Sequence, residues 1–394
     1  MKPRPIYPLF VLLLLTAVFS CKKDHNTAGG SISAPVNVYV LGVQDGEVLY
    51  WKNGAASTIP SSSGFLYNFG ATALTTAGNN VYIAGFQPGS TGNNIYTVVP
   101  TYWLNGAPTT LPDSTGSVVG GSAAAVAVSG SDVYLAGIRG YDGDTSHVPY
   151  TTETAAYPIT GGVATVWKNG KPASLPDLGS VGLVDSGKYA ARFYSDYVSG
   201  IHVSGTNVYV SGGSYYTVAH ARYWVNGNPV DLTGNLYYVG GDGTDGTPTS
   251  TSIYASGSDV YVSGFQSTTI GNPLAIYWKN GSPLFLSTDS LQGSMANAVV
   301  VSGTDVYIAG WQNIGNYSRA ILWKNGIADT LTSGNTSSAA TSLFVNGNDV
   351  YVAGYTWMIG GHYIATYWKN GVPVSLSDGT QNAIAYSISV QMID

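Results

Sequence analysis

Two short segments alternate along this chain, seven copies of each, and that alternation constrains the fold more than any other feature. The first is Asp or Asn, then Val-Tyr, an aliphatic residue, usually a small residue, and Gly. It starts at Asn37, Asn80, Asp132, Asn207, Asp259, Asp305 and Asp349. The second, Trp-x-Asn-Gly, stands at Trp51, Trp103, Trp167, Trp224, Trp278, Trp323 and Trp368, so successive tryptophans are 45 to 64 residues apart. A basic unit of about 45 residues, lengthened in some copies, is repeat architecture. Solenoid units are shorter or helical, whereas four short strands fill a unit of this size, as in a propeller blade.

The last complete unit gives the strand plan. Thr341 to Val345 reads as strand A, Asn346-Gly347-Asn348 as a tight turn, and Asp349 to Gly354 as strand B. After a variable loop, Ile364 to Trp368 reads as strand C and Pro373 to Leu376 as strand D. Between them Asn370-Gly371 is a strong hairpin signal, because a type I′ turn needs positive φ at both central residues. The repeated pattern opens on a strand B, Val36 to Gly42, and a spare strand-A pattern, Ala385 to Gln391, follows the seventh unit. The expectation is an all-β, seven-bladed propeller of four antiparallel strands per blade, closed by that last strand pairing in the first blade. Closure of this kind removes the exposed sheet edges of an open array.

Composition agrees. Charged residues make up 9 % of the chain against 51 glycines and 30 tyrosines. Such a chain can bury enough apolar surface to order itself, and it favours strands and tight turns over helices.

The first residues differ in kind. Lys2 and Arg4 precede an apolar run from Ile6 to Phe19, the layout of a signal peptide over residues 1–20. Val18-Phe19-Ser20-Cys21 resembles the lipobox of bacterial lipoproteins, whose cysteine is acylated and becomes the new N-terminus. The usual Leu and small residue are replaced by Val18 and Phe19, which makes the cleavage point less defined than export itself. The resemblance implies lipidation at Cys21 and anchoring to the bacterial envelope, by expectation the outer membrane and its exposed surface; the expected domains are then a polar tether over residues 21–35 and, from the repeats, a propeller over 36–394. Cys21 is the only cysteine, so the propeller itself has neither disulfide nor thiolate metal site. Without the signal, 13 basic residues face 21 acidic ones, a net charge of −8 with no basic patch. Nucleic acid is not an expected partner.

The seven tryptophans stand at one place in the unit, just before the C–D turn, which argues for blade-to-blade packing over a sugar-stacking ring. Turn chemistry accounts for the Asp of Asp-Val-Tyr. The unit resembles extracellular propeller repeats of the HAF type, with the core A-x-x-W-x-x-G-x-x-x-x-L. Here that core is Ala365, Trp368, Gly371 and Leu376, or Ala275, Trp278, Gly281 and Leu286. The likeness spans about residues 36 to 394; it implies fold and an extracellular setting and carries no catalytic residue. It is unlike a sialidase Asp-box, which lacks this Trp-Lys-Asn-Gly turn.

All length variation falls in the B–C and D–A loops, which share one face, while A–B and C–D turns stay short on the other. Variable loops on a rigid scaffold are where binding surfaces sit. Aromatic residues there, Phe86, Phe265, Trp311, Tyr355 and Trp357, are the ligand candidates, the two tryptophans first because they lie outside the repeat position. Tyr141, Tyr215, Tyr216, Tyr237 and Tyr238 belong to the same loops. The longest insertions, Ile138 to Gly162 and Pro176 to Ser199, add Arg139, Asp142, Asp144, His147, Glu153, Asp185, Lys188, Arg192 and Asp196. Strand B starts on the plain face, so the tether leaves there and the decorated face looks away from the membrane.

These residues support a non-catalytic module for a glycan, peptide or protein. The alternative is a carbohydrate-active enzyme, a glycoside hydrolase or lyase, using Asp142, Asp144, Asp185 or Asp196. No nucleophile elbow, zinc-protease motif or phosphate loop occurs. Asp142-Gly143-Asp144 and Asp242-Gly243-Thr244-Asp245 have the carboxylates of Ca²⁺ loops but not EF-hand spacing, so no cofactor is expected.

Overall fold

In each repeat, alternating apolar residues form strand B and strand C, and Asn-Gly turns the chain between C and D. All seven of these asparagines, from Asn53 to Asn370, have φ between 49° and 52°, and the following glycines lie between 79° and 86°. The turns are therefore type I′, matched to the right-handed twist of the strands they join. The computed structural model describes residues 35–60, 70–91, 95–112, 120–140, 162–176, 195–215, 219–234, 248–268, 272–287, 289, 291–333, 336–357 and 361–393.

The strands assemble into seven four-stranded antiparallel sheets, each a blade in the order A-B-C-D, and the described residues contain no α-helix. Blades 2 to 7 are consecutive in the chain. Blade 7, for example, comprises Ser338–Asn346, Asp349–Trp357, Tyr363–Lys369 and Val372–Ser375. Blade 1 is closed from both ends of this region. Its strands B, C and D are Val36–Gln44, Glu47–Lys52 and Ala55–Thr58, and its strand A is the C-terminal Ala383–Met392. Side chains fasten the closing strand to both neighbours. Ser387 Oγ accepts from the Leu74 amide of blade 2, and Ser342 Oγ of blade 7 accepts from the Ile388 amide.

The core is a set of inter-blade wedges. Each repeat tryptophan is at most 1 % exposed and packs on the blade before its own. Trp278 of blade 5 lies against Ala221 and Leu232 of blade 4, and Trp51 of blade 1 lies against Ala353 and Leu376 of blade 7. The expected packing role therefore holds. Where Pro follows the strand-D leucine, the indole N–H has an acceptor: Trp167 Nε1 donates to the Pro112 carbonyl and Trp224 Nε1 to that of Pro176, each at 2.8 Å. Trp278, Trp323 and Trp368 face Thr233, Ser287 and Thr332 at that place instead, and their indole N–H finds no acceptor among the described residues.

Every strand A carries a register shift two to four residues after its start, between Ala71 and Ala73 in blade 2, Ser250 and Ser252 in blade 5, and Ala340 and Ser342 in blade 7. The bulge brings backbone against the Gly that ends the Asp-Val-Tyr motif. A Cβ on Gly264 would overlap the Thr249 carbonyl and stand 2.9 Å from the Trp278 ring. Close approach, not turn geometry, requires that glycine.

The motif's first residue is a clamp. Asn370 Oδ1 accepts from the Val350 amide and Asn370 Nδ2 donates to Asp349 Oδ1, both at 2.8 Å. The start of strand B is thereby tied to the C–D turn of its own blade. Lys369 Nζ lies 3.0 Å from Asp349 Oδ2 and 5.3 Å from the centre of the Tyr351 ring. The same Asn-to-Asx bond recurs in every blade, with Asn37, Asn80 or Asn207 in place of Asp in blades 1, 2 and 4. Turn chemistry was the expectation; the clamp is that chemistry shared between two turns.

Candidate functional site

The residue after the motif glycine decides how the B–C and D–A face is built. Phe86, Phe265, Trp311 and Tyr355 all occupy this one position, inside strand B rather than in loops, and all are half-buried. Each pairs with the second or first residue of strand A: Gly70 opposite Phe86, Thr249 opposite Phe265, Met295 opposite Trp311 and Ala339 opposite Tyr355. Phe86 opposes Gly70, which leaves room for the ring. In blade 4 the roles reverse: Gly213 opposes Tyr197, whose ring would stand 2.7 Å from a Cβ on that glycine. Tyr197 then accepts from the Ser250 amide of blade 5 through its hydroxyl. These aromatics fill the mouths of successive inter-blade wedges. Four of the expected ligand residues thus form a ring spread over blades 2, 5, 6 and 7, and they do not converge on one pocket.

Blade 7 departs from that pattern. Trp357, two residues beyond Tyr355 on the same side of the sheet, meets Tyr363 of strand C edge-on with centroids 4.6 Å apart, and Tyr355 meets Tyr363 at 4.9 Å. This side of blade 7 faces blade 1, because Tyr351, Ala353 and Ala365 on it pack with Trp51. Across the gap, Gln44 Nε2 donates to Gln381 Oε1 at 3.0 Å, and Gln381 Nε2 donates to Asp45 Oδ2 at 3.4 Å. Asn382 joins the two blades: its side chain accepts from the Tyr363 amide and its carbonyl from the Asp45 amide.

Tyr386, on the closing strand, completes this corner. It sits in the bulge, where blades 2, 5 and 7 have Thr72, Thr251 and Thr341 and those hydroxyls bond a carbonyl of the next blade. Tyr386 is instead 37 % exposed. Burial pushes its phenol above the ordinary tyrosine range, and Tyr355 adds to the effect. Burial likewise raises Tyr355, with Tyr363 second. Sequence reading found Trp357 and Tyr355 but not Tyr363 or Tyr386. The signal available for Tyr386 was its misfit among Thr, Ser, Asn and Ala at the same repeat position.

The ionisable candidates have different fates. Arg139 is nearly buried at the end of strand B, where Nε donates to Thr165 Oγ1 at 3.2 Å and a terminal nitrogen to Ser174 Oγ at 2.7 Å. Asp196 Oδ2 accepts from the Ala164 amide at 3.1 Å, the task that Ser294 and Ser338 perform for Ala275 and Ala320. Asp142, Asp144, His147, Glu153, Asp185, Lys188 and Arg192 lie outside the described residues, as do the two acidic turns and Tyr141, Tyr216, Tyr237 and Tyr238. Among the described residues, no three His, Cys, Asp or Glu side chains gather as a metal site. His202, its ring tilted against that of Tyr254 with centroids 4.2 Å apart, has its pKa lowered to about 4, chiefly by burial.

This strand order defines the class: a seven-bladed β-propeller closed through its first blade. No protein-family model and no curated protein matches the chain. Similar solved structures include Trypanosoma rangeli sialidase in complex with sialic acid, at 10 % identity and a TM-score of 0.41, covering 86 % of this chain and 56 % of that one. TolB from Acinetobacter baumannii is 10 % identical with a TM-score of 0.41, covering 90 % and 66 %. The acylaminoacyl peptidase of Pyrococcus horikoshii is 11 % identical with a TM-score of 0.38, covering 79 % and 52 %. The chain thus spans little more than half the length of the sialidase and the peptidase.

Proposed function

We propose that this protein is an envelope-anchored, non-catalytic binding propeller, held through a lipid on Cys21 and recognising a glycan, peptide or protein with its B–C and D–A face. The single observation that carries the reading is where the repeated residues are spent. Tryptophan, Asx, Asn-Gly and motif glycine are all consumed by packing, clamps and turns, and only the face with unequal loops departs from the repeat. Departure from a rigid repeat on one face is the usual form of a grafted site. The signal-like residues 1–20 and the lipobox-like Cys21 support export and anchoring to the outer membrane. Neither nucleic acid nor a bound cofactor enters this reading.

An enzymatic role for the blade 3 and 4 carboxylates has less support, since Asp196 is already committed to a backbone amide. A glycan array run beside a glycoside hydrolase and lyase panel tests the proposal. Retained ligand without turnover is the expected result. Turnover that Asp185→Ala abolishes while the fold stays intact would overturn the non-catalytic reading.

A further inference from the structure

We propose that the corner between blades 7 and 1 binds a neutral glycan, one sugar ring lying against Trp357 and Tyr363 with its hydroxyls on the Gln44–Gln381–Asp45 chain and Tyr386 closing the inner side. The proposal rests on the binding-face reading and names its ligand class.

A pyranose offers two kinds of surface, a flat array of C–H groups and a rim of hydroxyls that both donate and accept. Its receptor therefore needs exposed aromatic faces beside groups able to do both. Such sites are mostly apolar, with a few placed polar groups that fix orientation. At this corner three aromatic side chains share one side of blade 7, and the facing turn and loop contribute amides. The bonds from Gln44 to Gln381 and from Gln381 to Asp45 use one N–H of each amide and fix which way it points. A glutamine has two N–H donors and two acceptor lone pairs, so each keeps capacity for a ligand hydroxyl.

Charge argues for a neutral ligand. Asp45 stands in the blade 1 turn, with Glu47 beside it and Asp378 in the neighbouring loop, and all three are exposed. Lys52 and Lys369, the cations on the strands involved, lie at the far ends, held over Tyr39 and against Asp349. An anionic sugar would meet carboxylates with no compensating cation on these strands.

Tyr386 supplies an independent argument. At its place the ring uses small side chains, and Thr341 Oγ1 reaches the Ala385 carbonyl at 2.8 Å. Tyr386 forgoes that short link and leaves an aromatic ring partly in solvent beside Tyr355. Packing does not require it, since threonine is the solution in three other blades.

The test titrates the mature chain with neutral hexasaccharides (cellohexaose, mannohexaose, maltohexaose and xylohexaose), following tryptophan fluorescence and calorimetry. An oligogalacturonate and a proline-rich decapeptide run in parallel. At least one neutral hexasaccharide is expected to bind. Tyr386→Thr, which restores the residue used elsewhere in the ring, and Gln381→Ala should each weaken it about tenfold or more at unchanged melting temperature, a loss of roughly 1.4 kcal/mol. The proposal is overturned if no neutral sugar binds, or if binding survives both variants. Binding of the peptide alone, lost in Tyr386→Thr, would discard the glycan and keep the binding face. Silence in every arm would discard the glycan at this corner and leave the binding face to be decided by the glycan array and enzyme panel.

Discussion

Asn370 combines three tasks: it adopts the positive φ of the turn, accepts from the Val350 amide and donates to Asp349. Asn370→Gly keeps the backbone and loses both side-chain bonds, at a cost of about 1 kcal/mol. Asn370→Ala loses them too and adds the left-handed penalty of roughly 1–2 kcal/mol. Chemical denaturation should rank stability as wild type, then Gly, then Ala; a Gly variant as stable as wild type would show that the clamp contributes nothing. The aspartates of the clamp carry a pH dependence. Lys168, Lys279 and Lys324 first and the turn asparagine second hold Asp132, Asp259 and Asp305 below 3.8; for Asp349 the order is Asn370, then Lys369. A depressed folded value means stabilisation complete above 3.8 and lost as pH falls through the folded pKa values. Replacing all four by Asn, native at Asn37, Asn80 and Asn207, keeps the acceptor and deletes the titration. Exposed ion pairs add little near neutrality, so the quadruple variant should melt near wild type at pH 7 and show a shallower acid decline. The tryptophans give a third comparison. Trp167→Phe strands the Pro112 carbonyl, whereas Trp323→Phe strands nothing among the described residues, so the former should cost about 1 kcal/mol more in paired melts.

At the scale of strands, legibility followed periodicity. Ala385 to Gln391 reads as a strand because it copies the pattern of Thr341 to Val345, and the pairing of Val36–Gln44 with Ala383–Met392 is its consequence. The bulge at Tyr386 is a register shift and has no such periodic signature. Phe86, Phe265, Trp311 and Tyr355 read as loop residues because strand B outruns the motif that announces it. The blade 7 corner was harder still, since Gln44 and Gln381 stand 337 residues apart and meet only once the ring closes. Removing residues 383–394 tests the closing strand. It leaves Val36–Gln44 as an unpaired, apolar edge and uncovers Trp51. Exposed edges of that kind associate. Light scattering should report oligomers and melting should lose cooperativity; a monomer with the wild-type transition would contradict the closure.

For the molecule as a whole, the two faces differ in role and the start of the ring selects between them. Val36 pairs with Met392, where strand A ends and strand B begins, so this end of the sheet belongs to the short-turn face. An anchor upstream would therefore attach on the plain side and leave Leu291 and the blade 7 corner on the far side. Under the lipid-anchor reading, the roughly 14 residues between Cys21 and Val36 set an upper limit of about 50 Å on the distance from the membrane to the ring. The expected outcome is a bias toward one orientation. Since Cys21 is the only cysteine and its thiol is consumed by acylation under this reading, a thiol introduced elsewhere is unique. A fluorophore at Val372→Cys, on the plain face, should be quenched by spin-labelled lipid more strongly than one at Leu291→Cys in the same proteoliposomes. Both side chains are well exposed, at 65 % and 80 %, so labelling should not disturb packing. Cys21→Ser should release the protein from the membrane and abolish both signals. Equal quenching in the anchored protein would mean that tether length outweighs attachment side, and the decorated face would then owe nothing of its presentation to the place where the ring begins.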